Sequence, residues 1–81
     1  MGDVEKEILK IRIQETENLL SRYKAMKTYN NKVRKWIILT GMTQITEKLD
    51  ELNRILEEIV EDIIIHLNEL KQEYREIKKQ L

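Results

Sequence analysis

The chain reads as all-α: a long antiparallel two-helix hairpin whose second copy completes a four-helix bundle. Three observations lead there. Apolar residues recur every three or four positions along nearly the whole length. There is no proline, and glycine occurs only at positions 2 and 41. Charged residues make up 37% of the 81 and aromatic residues 5%, a balance that suits long helices and starves a sheet.

Helix 1 is expected over about residues 4–39. Val4, Ile8 and Ile11 begin one stripe, and Leu9, Ile13, Thr16, Leu20, Tyr23, Met26, Val33 and Ile37 carry another. Asp3 is placed to cap the start, where a carboxylate meets free amides and the positive dipole end. Asn30-Asn31 is the weak point, because an asparagine side chain competes for helical hydrogen bonds, and a kink or break is expected to fall there if anywhere.

The turn is expected at residues 40–43, Thr40-Gly41-Met42-Thr43. Gly41 suits the left-handed position that ends a helix, and Thr43 suits the cap of the next one. So short a connection makes the two helices antiparallel neighbours.

Helix 2 is expected over about residues 44–80. Ile45, Leu49, Leu52, Leu56, Ile59, Ile63, Leu67, Leu70, Tyr74, Ile77 and Leu81 take ten steps over 36 residues. Their mean of 3.6 equals the period of the α-helix, so a nearly straight helix is expected rather than a supercoiled one.

Charge supports the pairing. Residues 1–20 hold five acids and three bases, 21–40 six bases and no acid, 41–62 seven acids and two bases, and 63–81 three acids and four bases. Folding at Gly41 brings opposite blocks together, Arg22, Lys24, Lys27, Arg34 and Lys35 beside Glu47, Asp50, Glu51, Glu57, Glu58 and Glu61, and Glu5 and Glu7 beside Arg75, Lys78 and Lys79. Exposed pairs of this kind select register and orientation more than they stabilise.

Dimerisation follows from surface and size. A single core of 81 residues is near the limit of self-sufficiency, and without cysteine neither a disulfide nor a thiolate metal site is available to support it. Ile55, Leu56, Ile59, Val60, Ile63, Ile64 and Leu67, with Ile65, spread around more of helix 2 than one neighbour covers, and are the expected homodimer interface. The architecture is similar to that of Rop-type bundles.

No catalytic set appears. There is no Ser/His/Asp constellation and no glycine-rich phosphate loop, so a non-enzymatic chain without cofactor, metal or small-molecule substrate is expected. Residues 57–67, from Glu57 through Glu61, Asp62 and His66 to Leu67, resemble the second metal-binding helix of the all-α nucleotide pyrophosphohydrolases of the MazG type. That resemblance implies magnesium and a facing Glu-x-x-Glu helix, which the first arm lacks: Glu15 and Glu17 point to different faces. His66, a lone histidine on an apolar stripe, is expected to be a packed or boundary residue rather than a ligand.

Equal numbers of acids and bases exclude a global field for nucleic acid or an acidic membrane. No apolar run approaches a membrane span and no signal-peptide core precedes the first helix, so a cytoplasmic protein is expected. The leading functional expectation is a protein-interaction adaptor or small regulator acting as a homodimer, docking a protein partner through an apolar tip of Trp36, Ile38 and Met42. Its composition fits a virus, phage or mobile element. The alternative is a nucleic-acid-binding regulator using Arg22, Lys24, Lys27, Arg34 and Lys35, interleaved with Tyr23, Tyr29 and Trp36.

Overall fold

The computed structural model describes residues 2–80, so the proposed last stripe residue, Leu81, lies outside the described residues. Two helices, α1 (Gly2–Thr40) and α2 (Thr43–Gln80), pack side by side along their whole length in a rod of 61 × 15 × 13 Å. α1 runs unbroken through Asn30 and Asn31. Neither asparagine leaves helical geometry: Asn30 lies half-buried, and the Asn31 side chain accepts from Asn53 across the pair.

Both helix starts differ from the expected caps. α1 already includes Gly2, so Asp3 sits in its first turn with Glu5, where the carboxylates still meet the positive end of the helix dipole. At the turn, Gly41 takes φ +80° and its N–H donates to the carbonyl of Ile38 at 3.1 Å, ending α1 as expected. Thr43 does not cap with its hydroxyl. Its N–H donates to the Gly41 carbonyl at 3.0 Å, and its own carbonyl accepts from the Thr46 hydroxyl.

The buried seam follows a seven-residue repeat in both helices. In α1 the inward side chains are Lys6, Leu9, Ile13, Thr16, Leu20, Tyr23, Lys27, Asn30, Arg34 and Ile37, alternating in steps of three and four. In α2 they are Leu49, Asn53, Leu56, Val60, Ile63, Leu67, Leu70, Tyr74 and Ile77, alternating likewise. That spacing averages 3.5, the period of a coiled-coil seam, where the apolar stripe of α2 averages 3.6. The difference arises at two places. Asn53, not Leu52, faces α1, and Val60 shares the seam position next to Ile59.

The core is thin and lies mostly on α2. Leu56, Ile63, Leu67 and Leu70 are buried there, with Leu70 the most enclosed at 4% exposure, and Leu9 is their counterpart on α1. Lys6, Lys27 and Arg34 occupy seam positions by laying their aliphatic stems on the core and carrying the charge to its edge. The Lys6 ammonium sits 5.9 Å from the centre of the Tyr74 ring, a cation–π contact closing the end far from the turn.

Candidate interaction surface

Heptad letters describe the surface most simply. With Leu9 and Ile37 at position d of α1, and Leu56 and Ile77 at position d of α2, the seam is made of a and d, flanked by e on one side and by g, then c, on the other.

The e flank is mostly polar and cross-linked, with Ile38 and Ile64 its apolar members. Arg34 grips Asp50 with two bonds, Nε to Oδ1 at 2.7 Å and a second guanidinium nitrogen to Oδ2 at 3.3 Å. Lys27 meets Glu57 at 2.8 Å, Lys71 meets Glu17 at 3.4 Å, and Asn53 Nδ2 donates to Asn31 Oδ1 at 3.2 Å. The hydrogen bond from Arg34 to Asp50, and after it the attraction between the charges, raises the guanidinium above its ordinary pKa, so it stays charged throughout any working pH range. Three of these rungs share one register, in which paired residue numbers sum to 84, and Lys71 reaches Glu17 from one turn further along. Glu5 and Glu7 do not reach Arg75, Lys78 or Lys79 among the described ion pairs; Glu7 pairs with Lys10 on its own helix at 3.4 Å.

The opposite flank is apolar. That register puts Val33 level with Leu52 and Met26 level with Ile59, with Tyr29 and Ile55 on the outer edges at the same height. Leu19, Met26, Tyr29, Trp36, Leu52 and Ile55 are between 42% and 63% exposed. They form one strip over the half of the rod next to the turn. Toward the far end the strip gives way to a groove of about 460 Å³ lined by Glu5, Ile8, Leu9, Arg12, Glu73, Glu76 and Ile77.

The seven residues assigned to a dimer interface therefore divide. Leu56, Ile63 and Leu67 are buried against α1 inside the hairpin, and Val60 lies half-buried in the seam. Ile55 and Ile59 belong to the apolar strip, while Ile64 lies on the e flank. The tip residues also separate: Trp36 joins the strip, Ile38 faces the other flank, and Met42 sits in the turn, all of them exposed. Of the five cations grouped as a nucleic-acid patch, Lys27 and Arg34 are engaged with Glu57 and Asp50, and Arg22, Lys24 and Lys35 fall at three different positions around α1.

The acidic stretch of α2 faces no second acidic helix. At the height of Glu58, Glu61 and Asp62, α1 presents Met26, Tyr23 and Arg22, and among the described residues no three His, Cys, Asp or Glu come together as a metal-holding group. His66 is exposed, one heptad beyond Ile59 on the apolar flank. Sequence reasoning missed Leu19, Met26, Tyr29 and Leu52 as parts of one surface. Their g and c positions carry the signal, but only once the seam is known. No described helix is long and apolar enough to cross a membrane. No family model matches the chain, and no curated protein or solved structure matches it.

Proposed function

We propose that this chain is a non-enzymatic protein-interaction module that works as a homodimer, two hairpins joining through their apolar strips to make a four-helix bundle. The observation carrying this reading is the contrast between the flanks: one is closed by ionic and amide rungs, the other leaves six large apolar side chains roughly half in water. Burying a large side chain completely is worth about 1.5–3 kcal/mol, so covering the exposed halves of six recovers on the order of 5 kcal/mol. That is comparable with the whole stability of a small domain. A symmetric partner presents the same strip and covers it without a second gene product.

Sedimentation equilibrium tests it. The parent should run at twice the 9.8 kDa of one chain. Met26→Glu and Ile55→Glu keep good helix formers on exposed positions and leave the seam intact, so both should stay helical and shift to the single-chain mass. A parent that remains monomeric at high concentration overturns the proposal.

A further inference from the structure

Two-fold symmetry can bring the strips together in two ways, and the charges on their outer edges favour one. Reading from the turn, the c positions of α1 are Trp36, Tyr29, Arg22, Glu15 and Ile8, and level with them on α2 stand Lys48, Ile55, Asp62, Glu69 and Glu76. If the axis ran along the rods with turns aligned, each α1 would face the partner's α2 at equal height. Arg22 would then meet the partner's Asp62, but Glu15 would meet the partner's Glu69 on both sides, and Ile8 the partner's Glu76. Like charges so placed oppose association.

If the axis instead crosses the rods at Tyr29 and Ile55, each helix packs on its own copy running the other way. Lys48 then meets the partner's Asp62, and Trp36 meets the partner's Arg22, each contact made twice. Along the inner row, Val33 comes against the partner's Met26 and Leu52 against the partner's Ile59, so apolar meets apolar. Glu15 lies beyond the end of the partner's α1 and finds no like charge.

We propose that the occupant of the apolar strip is a second copy, antiparallel and staggered, with the two-fold axis at Tyr29 and Ile55. This rests on the homodimer reading and adds its geometry. Only the halves next to the turns overlap. The far halves project in opposite directions as two-helix arms, each keeping its groove between Glu5, Arg12, Glu73 and Glu76 open. At about 1.5 Å per residue the two turns lie roughly 36 Å apart, and the assembly is about 86 Å long instead of the single rod's 61 Å.

The chain has no cysteine, so a nitroxide on Thr43→Cys marks each turn singly. Pulsed dipolar spectroscopy of the full chain should give a distance centred near 36 Å, broadened by the label, whereas turns lying together below about 20 Å overturn the staggered arrangement and leave the homodimer standing. A single-chain mass with no dipolar signal removes both. Charge reversal supplies an independent check: Asp62→Lys should weaken association several-fold and Lys48→Asp added to it should restore it, because the two residues meet across the axis. An aligned dimer sets Asp62→Lys against Arg22, so failure of the double variant to recover, or no effect of the single one, overturns the proposal.

Discussion

Replacing Asn53 by leucine should make the hairpin more stable and less selective. Asn53 stands in the seam between Leu49 and Leu56, its Oδ1 buried without a hydrogen-bond partner and its Nδ2 bonded to Asn31. An unpaired buried acceptor costs about 1–3 kcal/mol, which the substitution removes. A half-buried leucine adds about 1 kcal/mol of apolar contact. Losing the amide–amide bond takes back about 0.5–1 kcal/mol, kept small because Asn31 is exposed and turns to water. The net gain is about 2 kcal/mol, or a rise in Tm of roughly 8–16 °C for a chain of this size. Thermal melts followed by far-ultraviolet circular dichroism measure it, at one fixed protein concentration because association couples to stability. A Tm that stays level or falls, at unchanged mass, refutes the argument. The same change should broaden the mass distribution, since a polar residue in an apolar seam restricts register and assembly state.

Other expectations follow from the core and the turn. Leu70→Ala, at the most enclosed position, should cost about 2–4 kcal/mol in urea unfolding, while Leu39→Ala, at 83% exposure, should stay within about 0.5 kcal/mol; similar costs for both would contradict the described core. Gly41→Ala should lose about 1 kcal/mol although nothing lies within 4 Å of the added carbon, because the penalty is the left-handed backbone itself. A neutral result would mean that the turn reaches its geometry another way.

The hairpin was legible before the structure because long periodic stripes and a lone central glycine leave few alternatives, and the charge blocks matched the basic arm to the acidic one, within which Lys27 meets Glu57 and Arg34 meets Asp50. The rotation of each helix was not legible. Apolar spacing alone chose Leu52 over Asn53 and Met26 over Lys27, since hydrophobicity is the only signal a stripe offers and three seam positions of α1 belong to cations that bury their stems. One residue along an α-helix turns by about 100°, so each such choice moves the seam to another face: Leu56, Ile63 and Leu67 look surplus until α1 covers them, and Met26 looks buried until Lys27 takes its place. The surface that carries the functional reading was hidden for the same reason, because g and c positions are defined only after a and d.

The two-residue connection at Gly41 and Met42 also governs how the rod comes apart. Its nearest rungs, Arg34 with Asp50 and Asn31 with Asn53, close short chain segments, while Lys6 and Tyr74 must meet across almost the entire sequence. A load applied between residues 2 and 79 therefore peels the helices from their free end, breaking one rung at a time rather than all in parallel. The molecule should yield to small forces in that direction and re-zip from the turn when released, whereas a pull along the rod axis on opposite ends of the two helices would meet every contact at once.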